Sequence, residues 1–91
     1  RANSILQNFR YATRGGGCYY ESRVEVRNTG ESTQQSLVLR LNFVHARDGS
    51  VIDTRNIPVG PMKAGESKIF GEKERFAGDC NIDYSIIPYV L

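Results

Sequence analysis

The chain has 91 residues, which is enough for one domain around a single hydrophobic core and too few for two. Twelve basic residues against ten acidic residues give a formal charge of +2, too small for a strongly electrostatic nucleic-acid or membrane surface. No run of about 18 apolar residues is present to span a membrane. Since the chain does not begin with methionine, we expect a trimmed form, with membrane contact only through a removed anchor.

Apolar and polar residues alternate along most of the chain, which is the pattern of half-buried β-strands. The alternation predicts strands over residues 5–11, 19–28, 37–45, 51–59, 67–75 and 81–90. The residues expected to point inward are Ile5, Phe9 and Tyr11, then Cys18, Tyr20, Val24 and Val26, then Leu37, Leu39, Leu41 and Phe43, and finally Cys80, Ile82, Tyr84 and Ile86.

Glycine-containing segments separate these predicted strands. Residues 14–17, 28–31, 48–49 and 60–66 combine glycine with polar residues, and Asp48-Gly49 is the strongest hairpin signal among them. No segment shows a helical stripe over three turns. Six or seven short strands at this spacing predict one all-β domain over residues 1–91, an antiparallel β-sandwich.

The two cysteines suggest a covalent link between the predicted sheets. Cys18 and Cys80 each fall on the apolar side of a different strand, so both thiols are expected to point into the core. A disulfide between them would close a long loop and stabilise the fold by up to roughly 4 kcal/mol. Disulfides persist in oxidising compartments, which places the protein in the periplasm, outside the cell or on a membrane outside the cytoplasm. The alternative is two buried free thiols in a cytosolic protein.

The middle of the chain resembles a bacterial FxLYD-type domain, an immunoglobulin-like sandwich common in exported proteins and lipoproteins. Three segments carry the resemblance: VEVRNTG at residues 24–30, LRLNF followed by DGSVI at 39–52, and MKAGESKIF at 62–70. The chain departs from the pattern at Val44-His45, where the family has Tyr-Asp, and at Ala64, where it has proline. The resemblance implies an immunoglobulin-like fold and export, and it implies no catalytic or cofactor-binding residue.

The sequence offers no arrangement of reactive side chains that is typical of an enzyme. His45 is the single histidine, and no nucleophile motif accompanies it. Two widely spaced cysteines and one histidine match no metal-binding or redox motif. We therefore expect no catalytic site, no metal and no cofactor.

Basic and aromatic residues near the N-terminus raise the question of nucleic-acid binding. They are Arg1, Phe9, Arg10, Tyr11, Arg14, Tyr19, Tyr20 and Arg23. However, the outward side of the second strand alternates in charge through Glu21, Arg23, Glu25 and Arg27, which favours cross-strand pairing over a phosphate track. Nucleic acid is therefore an unlikely partner.

The almost wholly apolar tail, residues 86–91, is the main candidate for partner binding. It is either a central strand buried on both faces or an exposed patch in which Ile87, Tyr89 and Leu91, with Tyr19 elsewhere, contact a protein. The charged residues 71–75 are typical of a protected sheet edge. These features predict a non-enzymatic exported module that binds protein by a strand edge or an apolar patch, in envelope or secretion assembly or as an inhibitor or immunity protein. Its oligomeric state is left open.

An alternative function uses the tyrosines. Exposed aromatic side chains on a small sandwich could hold carbohydrate or lipid, with Tyr19, Tyr20, Tyr84 and Tyr89 as the candidate residues. A domain of this size has little interior volume, so such a site is expected on the surface.

Overall fold

A computed structural model describes residues 2–15, 17–76 and 83–91. They form six β-strands: β1 (Ala2–Arg14), β2 (Gly17–Asn28), β3 (Gln34–His45), β4 (Val51–Met62), β5 (Ser67–Phe76) and β6 (Tyr84–Val90). The strands make two three-stranded antiparallel sheets, in the orders β1-β2-β5 and β4-β3-β6. The described part of the chain contains no helix, so the all-β prediction is confirmed there.

The hydrophobic core lies between the two sheets and is supplied mainly by their central strands, β2 and β3. As expected from the alternation, Cys18, Tyr20, Val24 and Val26 of β2 and Leu37, Leu39, Leu41 and Phe43 of β3 are all buried. Val59, Met62, Tyr84 and Ile86 complete this core from the outer strands. Across the core, the rings of Tyr20 and Phe43 meet edge to face with their centroids 4.8 Å apart.

The two sides of the molecule are closed by different chemistry. On one side β1 faces β6, and the Tyr11 and Tyr84 rings stack at 4.2 Å. On the other side β4 faces β5, where Arg55 Nη1 lies 2.6 Å from Glu74 Oε2. One side is therefore closed by apolar ring contact and the other by an ion pair.

A β-bulge in β1 changes which of its residues face the core. The pairing with β2 shifts between Leu6 and Asn8, so one extra residue enters β1 at that point. Phe9 and Tyr11 point inward and are partly buried, as predicted, whereas Ile5 points outward and is 51% exposed. The inward prediction for Ile5 is wrong because the extra residue reverses the alternation.

The turn after β4 is shorter than the predicted range of residues 60–66, because β4 continues to Met62. Gly60 has a φ of 79°, a conformation that glycine adopts without steric cost, and it lies at an irregularity in the pairing with β3. This irregularity lets the strand continue and places Met62 in the core, fully buried. The turn itself spans Lys63 to Glu66, where the Glu66 N–H donates to the Lys63 carbonyl.

Strand β6 lies at the edge of its sheet and pairs with β3 alone. The alternative in which the apolar tail is a central strand is therefore wrong. Pro88 explains this position, since a residue without an N–H is tolerated at a sheet edge and not between two partners. Tyr84, Ile86 and Val90 contribute to the core, while Ile87 points outward.

The fully buried Asn28 joins the end of β2 to the end of β4. Its Nδ2 donates to the Ser32 carbonyl at 2.9 Å and to the Met62 carbonyl at 3.0 Å. Its Oδ1 accepts from the Gly30 N–H at 3.0 Å. The Asn28 side chain thereby links the two sheets and fixes the loop that leads into β3.

Candidate functional site

The outward side chains of each sheet form one surface, and the pairing registers define both surfaces. We name the outer surface of sheet β4-β3-β6 the β3 face. It consists of Val51, Thr54, Asn56 and Pro58 from β4, Val38, Arg40, Asn42 and Val44 from β3, and Ser85, Ile87 and Tyr89 from β6 with Leu91 after it. Val44 lies on this side of the sheet but is itself buried. We name the opposite surface the β2 face. It consists of Asn3, Ile5, Asn8, Arg10 and Ala12 from β1, Tyr19, Glu21, Arg23, Glu25 and Arg27 from β2, and Ser67, Ile69, Gly71, Lys73 and Arg75 from β5.

The two faces differ sharply in charge. Seven of the fifteen residues on the β2 face are charged, five basic and two acidic. Several of them neutralise one another: Arg10 lies 2.6 Å and Lys73 4.0 Å from Glu21, and Arg27 lies 3.6 Å from Glu25. On the β3 face one of twelve side chains, Arg40, is charged. Charged residues are depleted from the centres of protein interfaces, so the β3 face has the more interface-like composition.

A hydrogen-bonded network crosses the centre of the β3 face from β4 to β6. Arg40 Nε donates to Asn56 Oδ1 at 2.8 Å, and Thr54 Oγ1 donates to Asn42 Oδ1 at 2.9 Å. Arg40 Nη1 and Asn42 Nδ2 each lie 3.4 Å from the Tyr89 hydroxyl oxygen, to which they donate. These contacts hold Arg40 and Tyr89 in defined positions at the middle of an otherwise neutral surface.

Arg40 also acts on Tyr89 electrostatically. Its guanidinium carbon lies 5.9 Å from the centre of the Tyr89 ring, within the range of a cation–π contact. Hydrogen bonds from Arg40, and secondarily from Asn42, hold the pKa of Tyr89 below its usual value because they stabilise the phenolate. Arg40 and Tyr89 are therefore joined by both a hydrogen bond and a cation–π contact.

Three of the four candidate contact residues lie together. Ile87 and Leu91 are each 53% exposed on the β3 face, and Tyr89 lies between them in the alternation. Tyr19 lies on the β2 face, on the opposite side of the molecule. The structure thus brings Ile87, Tyr89 and Leu91 into one surface and separates Tyr19 from them.

The network residues Arg40, Asn42, Thr54 and Asn56 were not identified from the sequence. Their outward direction follows from strand alternation, but their contact with Tyr89 depends on the register that sets Arg40 opposite both Asn56 and Tyr89. Arg40 and Tyr89 are 49 residues apart, and no local signal indicates such a pairing.

The tyrosines proposed for carbohydrate or lipid binding do not form one surface. Tyr20 and Tyr84 are buried, and burial raises the pKa of each to about 12. The other two, Tyr19 and Tyr89, lie on opposite faces. A site built from all four tyrosines is therefore excluded by their positions.

The open edges of sheet β4-β3-β6 are each interrupted by a proline. The Leu91 N–H donates to the Val38 carbonyl, and the Ala46 N–H donates to the Asp83 carbonyl. Since bonding alternates along an antiparallel pair, the backbone of Pro88 faces the open edge of β6. By the same alternation Pro58, which is paired with Val38, faces the open edge of β4. Neither proline offers an N–H to an added strand.

The edges of the other sheet are also unsuited to strand addition. Strand β1 carries the bulge between Leu6 and Asn8, and bulges disturb the ladder that an added strand would extend. Strand β5 carries the charged residues 72–75, and it is an edge strand as the sequence suggested. All four edges thus have a feature that discourages strand addition.

The β2 face contains a shallow groove of about 500 Å³. It crosses the sheet above Gly71, whose missing side chain leaves open space beside Arg23. Glu21, Glu72 and Lys73 also line it, so the groove mixes both signs of charge. This mixture gives it no clear preference for an anion or a cation.

His45 lies at the turn that follows β3. The imidazole is half-buried at the end of β3, and the His45 backbone bonds to Ser50 and Gly49 across the following turn. Within residues 2–15, 17–76 and 83–91, no three side chains of the metal-binding types come together. The same described residues contain no helix that is long and apolar enough to cross a membrane.

Cys18 is buried at the end of the core where the described chain is interrupted. It pairs in register with Phe76, and its Sγ lies 3.5 Å from the Tyr84 hydroxyl. Its predicted partner, Cys80, lies outside the described residues, as does Ile82. The backbone at Phe76 and the side chain of Tyr84 therefore both meet Cys18. In the sequence, Phe76 precedes Cys80 by four residues and Tyr84 follows it by four.

Comparison of the chain with family models, with curated proteins and with solved structures gives no match.

Proposed function

We propose that the protein is a non-enzymatic, exported protein-interaction module with an immunoglobulin-like sandwich fold, and that the β3 face is its contact surface. The observation that carries the proposal is the composition of that face, in which Arg40 is the one charge among twelve outward side chains. Exposed Ile87 and Leu91 flank Tyr89, and Tyr and Arg are the residue types enriched at interface hot spots.

Contact through a face fits this molecule better than contact through a strand edge. A strand added to β6 or β4 would lose a backbone hydrogen bond at Pro88 or Pro58, and β1 and β5 carry a bulge and a charged run. The β3 face requires no backbone pairing, and its side chains are joined by hydrogen bonds in the absence of a partner. Preordering lowers the entropy lost on association.

Two matched substitutions test the contact surface. Ile87→Asp places a charge on the β3 face, and Ile69→Asp makes the same change on the β2 face at a site of similar exposure, 53% against 46%. Each variant is used to capture protein from an envelope extract of the source organism. The proposal expects a stoichiometric partner that wild type and Ile69→Asp retain and Ile87→Asp loses. Equal retention by both variants would contradict it.

We propose further that Cys18 and Cys80 form a disulfide and that the protein functions outside the cytoplasm. Cys80 is four residues from Phe76 and from Tyr84, both of which meet Cys18, and four residues can span at most about 14 Å, a length that permits the bridge. The resemblance of residues 24–70 to FxLYD-type domains supports both the immunoglobulin-like fold and export.

Intact mass under denaturing conditions tests the disulfide. A bridge predicts a gain of roughly two hydrogens on reduction and no alkylation before it. Two thiols that alkylate without reductant would exclude the bridge and remove the argument for export, while leaving the all-β fold in place.

A further inference from the structure

Arg40 occupies the centre of the β3 face without a neutralising partner. No carboxylate of the described residues lies within 4.0 Å of it, in contrast to Arg10 and Arg27 on the β2 face. Its side chain is half-buried, and its position is fixed by Asn56 and Tyr89. A partly buried guanidinium that is held by side-chain hydrogen bonds and has no counter-charge is a strong binding group for an anion.

The hydrogen bonds already made by this pair leave donors free. Arg40 uses Nε toward Asn56 and Nη1 toward Tyr89, so Nη2 has no acceptor among the described residues. The Tyr89 oxygen accepts from Arg40 and Asn42, which leaves its own O–H available to donate. A carboxylate has two oxygens and can accept from both groups.

We propose that Arg40 and Tyr89 together receive an aspartate or glutamate side chain of the protein partner, so that the matching surface of the partner is apolar around one central carboxylate. This inference rests on the proposed function and specifies the chemistry of the partner. A single carboxylate is favoured over a phosphate because the face carries one positive charge, and a doubly charged phosphate would be only half neutralised. The exposed aliphatic residues Ile87 and Leu91 would contact the apolar surroundings of that carboxylate.

A random peptide library displayed on phage and selected against the folded wild-type protein provides the probe. We expect selected peptides to share an acidic residue with apolar neighbours. Arg40→Met should weaken their binding by about 10- to 100-fold, the range for a lost charge-assisted hydrogen bond. Arg23→Met, which removes an arginine from the β2 face, should leave binding unchanged.

Replacing the shared acidic residue of the peptide with its amide then tests the pairing directly. The amide peptide should bind wild type as weakly as the acidic peptide binds Arg40→Met, and combining both changes should add little. Arg40→Lys should recover only part of the affinity, since lysine keeps the charge and loses the planar fork. Thermal unfolding of each variant checks that the fold is retained.

The outcomes distinguish a failure of the carboxylate inference from a failure of the proposed function on which it rests. Peptides that are lost with Ile87→Asp, yet share no acidic residue and ignore Arg40→Met, would overturn the carboxylate and leave the β3 face as the contact surface. Peptides that bind Ile87→Asp as well as wild type, or a library that yields no binder, would count against the β3 face itself.

Discussion

Replacing Asn28 should test how the two sheets are held together. The Asn28 side chain makes three hydrogen bonds, to the Ser32 and Met62 carbonyls and from the Gly30 N–H, and it is fully buried. Asn28→Ala removes all three and leaves the buried Met62 carbonyl without this donor. At about 1 kcal/mol for each bond, we expect the free energy of unfolding to fall by about 3 kcal/mol.

Urea denaturation measures this loss. A slope of about 1 kcal/mol/M, at the low end for small proteins, converts the loss to a fall of about 3 M in the midpoint. Asn28→Asp sharpens the test, because it keeps the acceptor for Gly30 and turns a carboxylate oxygen toward the Ser32 and Met62 carbonyls. We expect it to be at least as unstable as Asn28→Ala at neutral pH.

Asn56→Ala is the matched control. Asn56 is exposed and accepts one hydrogen bond, from Arg40, so its loss should change the free energy of unfolding by less than about 0.5 kcal/mol. If Asn28→Ala stayed within about 1 kcal/mol of wild type, or Asn28→Asp matched wild type at neutral pH, the three bonds would not be the link between the sheets.

Three further substitutions give distinct stability outcomes. Tyr20→Phe should leave the free energy of unfolding unchanged or raise it by up to about 1 kcal/mol, since the buried Tyr20 hydroxyl has no partner among the described residues; a clear loss in urea denaturation would contradict this. Burial and, secondarily, Glu74 raise the pKa of Glu72 in the folded state. The stability that protonated Glu72 contributes is therefore complete below the unfolded pKa of about 4.3, and it is lost as the pH rises through the folded-state pKa. Glu72→Gln should therefore gain stability relative to wild type between about pH 4 and 7, and a constant difference over that range would refute the assignment. Cys18→Ala should lower the free energy of unfolding by about 2 to 5 kcal/mol if the bridge exists, and a melting temperature unchanged by the substitution and by reductant would exclude the bridge.

The sequence predicted the strands well where their alternation is uninterrupted. Residues 37–45 lie within β3, and the inward prediction from Leu37 to Phe43 is confirmed. The inward direction predicted for Ile5 and the turn predicted at residues 60–62 were wrong, for related reasons. A bulge in β1 and an irregularity beside Gly60 in β4 each add or reorient a residue, and neither event has a marker in the apolar pattern itself.

The candidate site was only partly predictable because it depends on which strands are neighbours. Ile87, Tyr89 and Leu91 share one parity within a single segment, and local reasoning groups them correctly. Arg40 joins them because β3 is the central strand that pairs with both β4 and β6. Strand alternation in the sequence predicts that Arg40 points outward, but it does not predict which residues lie beside it on the neighbouring strands. Those neighbours, Asn56 and Tyr89, give Arg40 its proposed role.

The difference between the two faces follows from the same central strands. On β2 the outward residues Glu21, Arg23, Glu25 and Arg27 alternate in sign, so much of the charge on the β2 face is neutralised within the face and remains well solvated. On β3 the corresponding positions hold one cation among neutral residues, and the flanking strands add no acidic side chain to the face. A partner that covers the β2 face would have to desolvate ion pairs that are already formed. A partner that covers the β3 face would gain apolar contact and could supply a negative charge opposite Arg40, which is why we propose that face as the surface for association.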